Sequence, residues 1–117
     1  MFWFRRDLRV DDNHGFYRAL QGENKVIPIF IFDTNILGKL EKKDARIEFI
    51  LLALGAIDTA MKRNRCTVGI YHGTPKVIFN ELIEKWPISK VVCNEDYEPY
   101  ATNRDKEIKT LIAQKGI

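Results

Sequence analysis

The chain has 117 residues, 45% of them hydrophobic and 30% charged, which excludes disorder, collagen and coiled coil and leaves room for about one domain. Its net charge of +3 permits contact with an anion or nucleic acid without demanding it, because no stretch gathers five or six like charges. No apolar run approaches the ~18 residues of a membrane span, and Arg5, Arg6 and Asp7 interrupt any secretory leader almost at once.

The elements alternate. Met1–Phe4 is a short apolar strand that stops at Arg5. Asp11, Asp12 and Asn13 offer caps for a helix reaching Leu20, with Gly22 ending it. Lys25–Phe32 (KVIPIFIF) is β-branched and aromatic without polar alternation, the pattern of a parallel strand buried on both faces. Pro28 within it removes one backbone donor. Asp44–Asn64 predicts a long helix whose Ile47, Ile50, Leu51, Leu54, Ile57 and Met61 share the inward face. Thr67–Tyr71 reads as a strand. Thr74-Pro75 then places a cap before a proline at the first helical position, in a helix that Pro87 stops beyond Trp86. Ser89–Cys93 (SKVVC) reads as a fourth strand. Glu98-Pro99 opens a last helix with Ala101, Ile108, Leu111 and Ile112 inward and Gly116 past its end.

Four βα units predict an α/β domain: an open parallel sheet of four strands in the order 3-2-1-4, with helices on both faces and right-handed crossovers. The domain spans 1–117. It starts at a strand and stops where a fifth would follow, so it is expected to be part of a longer chain. Cys66 and Cys93 lie at opposite ends of such a sheet and are too few for a disulfide scaffold. A reducing, cytoplasmic setting follows. Trp3 and Trp86 are expected as core anchors.

Ligands of open α/β sheets sit beyond the carboxyl ends of the strands, where strand order reverses. In the order 3-2-1-4 the loop after the first strand (Arg5 to Asn13) faces the loop after the fourth (Asn94 to Tyr100). One is rich in arginine and the other in carboxylates. They form either a pocket that orients a polar ligand or a set of ion pairs that hold two loops together. There is no GxGxxG, no P-loop and no GxSxG turn. His14 and His72 lack partners at metal-ligand spacing.

The motif Trp3-Phe4-Arg5-Arg6-Asp7-Leu8-Arg9, followed by Asp12-Asn13 and Gly15-Phe16, resembles the opening signature of the DNA photolyase/cryptochrome family. Val26–Asp33, Arg46 with Phe49, Gly73-x-Pro75, Asn94-x-Asp96-Tyr97-Glu98-Pro99-Tyr100 and Arg104-Asp105 continue the resemblance along the whole chain. It implies the N-terminal, Rossmann-like domain of a photolyase. The C-terminal helical domain, which binds FAD and docks UV-damaged DNA, would then lie outside these residues. The implied reaction is light-driven splitting of a cyclobutane pyrimidine dimer flipped out of the duplex, and extrusion costs least at a damaged pair. The implied task of this domain is to bind a light-harvesting antenna chromophore. Catalysis would belong to the parent lyase.

By the resemblance, Arg46 and Asp96 would contact the antenna, Arg6 and Glu98 would orient them, and Phe30 would lie near the ring. An 8-hydroxy-5-deazaflavin is favoured. Methenyltetrahydrofolate and flavin are the other candidates, although Tyr100-Ala101 stands where folate-binding members often carry Asn-Glu. Neither a membrane nor a metal is implied. A cryptochrome blue-light receptor has the same fold, and a stand-alone nucleotide-binding α/β module is a third reading.

Overall fold

The computed structural model describes residues 1–117. Three parallel strands form the sheet: β1 (Phe2–Phe4), β2 (Pro28–Asp33) and β3 (Gly69–Gly73), in the order β1-β2-β3. Phe2 pairs with Pro28 and Phe30 with Ile70, which fixes the register. Pro28 opens β2 rather than sitting within it, the place where its missing N–H costs least. The expected fourth strand is corrected to a single bridge, Phe2 to Val92. The Trp3 N–H donates to the Val92 carbonyl and the Val92 N–H to the Met1 carbonyl, whereas the Phe2 N–H donates to Ile27. Successive N–H groups of a strand point to opposite sides, so Val92 lies on the side of β1 away from β2. The spatial order is thus the expected one. The pairing ends because the Arg5 guanidinium, not a backbone N–H, takes the Asn94 carbonyl.

Side chains alternate across the sheet and so build two cores. Phe2, Phe4 and Phe30 face Phe16, Leu54, Ile57 and Met61. Trp3, Ile29 and Ile31 face Ile78, Phe79, Leu82 and Ile108. Burying each such side chain contributes about 1.5–3 kcal/mol. Helices α1 (His14–Leu20) and α3 (Ala45–Lys62) therefore cover one face, and α4 (Pro75–Lys85) and α5 (Pro99–Gln114) the other. None of the helices is long and apolar enough to cross a membrane.

Asn13, not Asp11 or Asp12, caps α1, its side chain accepting from the Phe16 N–H. A one-turn helix α2 (Thr34–Leu37) follows β2 at once. Asp33 caps it by accepting from the Asn35 N–H, so the chain turns helical directly after the strand. Leu51 is corrected from the inward face: it is 54% exposed, about a quarter-turn off the line through Leu54, Ile57 and Met61. Trp86 is corrected as well. Pro87 ends α4, Trp86 turns extended, and its ring is 43% exposed with the Lys85 ammonium 5.6 Å from its centre.

Two carboxylates on α3 are held well below the usual range. Hydrogen bonds from Arg46 hold Asp44 at about 2, and bonds from Lys62 and Thr67 hold Asp58 at about 2. Both values are lower folded than unfolded. Their contribution is complete above the ordinary value of 3.8 and is lost as pH falls through about 2. Acid unfolding followed by circular dichroism should therefore steepen between pH 4 and 2, and Asp58→Asn should flatten that slope.

Candidate functional site

The site lies where β1 and the Val92 segment release their loops. Arg5 follows Trp3 by two and so points to the same face, toward α5. There its Nη1 makes a fork with both Asp105 oxygens at 2.6 Å. The guanidinium also lies 5.1 Å from the Trp3 ring centre and donates to the Asn94 carbonyl. Asn94 is fixed at its side chain too. Its Oδ1 accepts from the Gly15 N–H at 3.0 Å, and its Nδ2 donates to Asn13 Oδ1 at 2.9 Å. Asn13 in turn donates to the carbonyls of Asp7 and Arg9, closing the first loop on itself.

Two residues beyond this clamp, Asp96 faces Arg6 at 3.4 Å, and Glu98 faces the same guanidinium at 3.3 Å. Asp96 is 8% exposed and Arg6 65%, so the acid is fixed and the base is free to move. The gap among Phe2, Phe4, Arg6, Asn94 and Asp96 has a volume of about 10 Å³, room for one water molecule.

A second polar group lies behind the site. The Tyr100 hydroxyl donates to Asp33 at 2.7 Å, and the Arg104 guanidinium stands 4.0 Å from the same carboxylate. Arg104 also lies 4.8 Å from the Trp3 ring centre and 5.8 Å from that of Tyr100. Burial, and then the bond to Asp33, push the Tyr100 hydroxyl up from its ordinary value, so it remains a donor. Burial likewise pushes the Cys93 thiol up; Cys66 and Cys93 are both free.

The structure brings Arg6, Asp96 and Glu98 together. It gives Arg46 and Phe30 other partners. Arg46 is paired with Asp44 at 2.7 Å on the first turn of α3, and no hydrogen bond or ion pair joins it to the other three. Phe30 is buried in the core. Phe32, on the same face and nearer the carboxyl end, stands edge-on to it at 5.0 Å and is half-buried. The sequence reading singled out neither Asn94 nor Asn13 as a linked pair. The legible signal was an amide residue at the end of the first loop and another at the start of the second, each able both to donate and to accept.

A family model described as DNA photolyase matches residues 1–117. The chain is 32% identical over 117 residues to an uncharacterised 31.6 kDa protein of Synechococcus sp. (strain PCC 6716), of which it covers 41%. It is 30% identical over 115 residues to Cryptochrome-1 of Sylvia borin, of which it covers 18%. Among solved structures it is similar to an archaeal photolyase from Sulfolobus tokodaii that holds two FAD molecules, with an implied novel light-harvesting cofactor. There the TM-score is 0.87 at 28% identity, over 99% of this chain and 27% of that one. A bacterial class III photolyase from Agrobacterium tumefaciens shares the fold, with a TM-score of 0.83 at 24% identity over 99% and 23% of the two chains. The chain spans less than half the length of each of these relatives.

Proposed function

Because the chain belongs to the DNA photolyase family, we propose that it serves as the antenna-binding domain of a light-driven DNA repair lyase that splits cyclobutane pyrimidine dimers. A C-terminal helical domain of that enzyme would hold FAD and meet UV-damaged DNA. The observation that carries the reading is the convergence of Arg6, Asp96 and Glu98 at the carboxyl edge of the sheet. A fixed carboxylate such as Asp96 accepts from a ring N–H group, and a guanidinium donates to ring carbonyls. This donor set suits the pyrimidine edge of a flavin or an 8-hydroxy-5-deazaflavin. The bound group would supply light absorption and pass excitation energy onward.

The 10 Å³ gap admits no ring while Arg6 bridges both acids. Arg6 is the residue that must give way. Its exposed, flexible side chain can swing outward and leave Asp96 to the ligand. Arg46 would be free to meet a ligand only by releasing Asp44. Deazaflavin, flavin and methenyltetrahydrofolate differ in their conjugated ring systems, so the bound chromophore's absorption spectrum identifies which is held. The isoelectronic change Asp96→Asn should weaken retention tenfold to hundredfold, the worth of a charge-assisted bond of ~1.5–3 kcal/mol. The measurement is near-UV and blue absorbance of the purified full-length protein. Unchanged retention would make Asp96 a loop-structuring residue.

The 30% identity to Cryptochrome-1 supports a second reading, a blue-light receptor that signals through partner proteins. Illumination of the full-length, flavin-reduced protein with dimer-containing DNA separates the two. Loss of dimers supports repair, and their persistence supports signalling.

A further inference from the structure

A second groove opens at the amino ends of the strands, away from the edge that holds Arg6 and Asp96. Its volume is about 660 Å³, inside the range of about 300–1,000 Å³ that small-molecule sites occupy. Two segments line it: the end of α1 with the lead into β2, and the link from α4 to Val92. The Asn24 side chain donates to the Ser89 hydroxyl between them at 3.4 Å. The groove shares no residue with the gap around Asp96.

Its charge is one-sided. The chain has 16 acidic residues, and none lines the groove. The charged side chains there are Arg18, Lys25 and Lys90, all exposed and none ion-paired. Elsewhere Arg5, Arg6, Arg46, Lys62 and Arg104 each meet an acid. Cations with no acid among them attract an anion. The rest of the wall is largely apolar, with Ala19, Val26 and Ile27 alongside Trp86. Trp86 is available for a local reason: Pro87 ends α4, the Trp86 backbone turns extended, and the ring stays half-exposed. An open indole beside unpaired cations is the combination that holds a base by stacking and its phosphate by charge. Gln21, Asn24 and Ser89 add neutral donors and acceptors for a base edge.

We propose that this groove binds a nucleotide unit, its base stacked on Trp86 and its phosphate drawn to Arg18, Lys25 and Lys90. Charge alone would suit any anion; the indole and the apolar wall select one that carries a flat ring. A free mononucleotide and a single nucleic-acid strand share that chemistry.

The test uses the full-length protein and an oligothymidylate carrying one 5-iododeoxyuridine. Near-UV light couples that base to an aromatic side chain in contact with it, and mass spectrometry of the digest locates the joint. The joint is expected at Trp86, retained in Trp86→Phe and lost in Trp86→Ala. Its position separates this groove from any other strand-binding surface of the parent protein. With three phosphate contacts, the yield at limiting protein should fall roughly twentyfold between ~50 and ~200 mM salt. With Lys25→Gln and Lys90→Gln combined, the fall should be only about threefold. Thymidine monophosphate that displaces the strand at equal nucleotide concentration marks the free nucleotide as the ligand, and a strand that resists it marks nucleic acid. No joint at Trp86, or one indifferent to salt and to the lysine changes, would overturn the proposal. Inorganic phosphate displacing the strand as well as thymidine monophosphate does would reduce the groove to a plain anion site. Polyglutamate displacing it as well as unlabelled oligothymidylate does would assign the groove to an acidic protein segment, and either result overturns the proposal. Asp96→Asn should leave the joint intact, which keeps this outcome separate from that of the chromophore.

Discussion

Arg5→Ala should cost about 3 kcal/mol of folding stability, at the lower end of the 3–5 kcal/mol range for breaking a buried ion pair. The side chain is 7% exposed and meets Asp105 with both contacts at 2.6 Å. Its loss strands a partly buried carboxylate, frees the Asn94 carbonyl and removes one cation from the Trp3 ring. The lower end applies because Arg104 stays 3.3 Å from Asp105 and keeps it from being wholly unpaired. Arg5→Lys should restore only part of the loss, since an ammonium cannot make the fork and reach Asn94 together. Urea denaturation of the three proteins reads the effect as a shift in midpoint at constant slope. A loss below about 1 kcal/mol would place this pair among surface ion pairs, which contribute little.

Gly15→Ala should destabilise by about 2–4 kcal/mol, against the usual gain of about 1 kcal/mol for that change in a helix. The reason is local. A Cβ on Gly15 would stand 2.3 Å from Asn94 Oδ1 and 3.2 Å from Cε2 of Phe2. Asn94 must move, and with it go its bonds to the Gly15 N–H and to Asn13. Each buried polar group left unpaired costs about 1–3 kcal/mol. Since Asn94 sits two residues before Asp96, the variant should also retain less chromophore. Combining Gly15→Ala with Asn94→Ala removes the atom that the Cβ strikes, so the double variant should lose clearly less than the two single losses together. Strict additivity would show that the two residues are not coupled.

Part of the site was legible because the motif residues lie at strand ends, and strand ends in a parallel sheet converge. The pairing of the arginine-rich and carboxylate-rich loops followed from the order 3-2-1-4, and Arg6 does face Asp96 and Glu98. The sequence reading left an ion-paired contact and a ligand pocket both open. The geometry contains the ion pairs, with space for one water between them. The place of Arg46 was not legible from its motif. Its guanidinium pairs with Asp44, the residue that caps the same helix. Phe30 lies in the core, a placement that alternation alone does not give: it tells the face a residue points to, but not how far along the strand the core ends.

Composition, alternation of apolar runs and capping residues determined the α/β class, the chain order of the main elements and the two-sided core. These depend on local propensity and on periods of 2 and 3.6, both of which are written in the chain. Tertiary structure decided the rest. It reduced Ser89–Cys93 to one bridge, because the Arg5 side chain occupies the carbonyl that the next backbone rung would use. It turned Phe49, Leu51 and Leu52 outward, because a single helix face can meet only one sheet. It joined Asn13, Gly15 and Asn94 across 79 and 81 residues of sequence. Such contacts depend on where separate segments come to lie in space, and no local pattern carries that information.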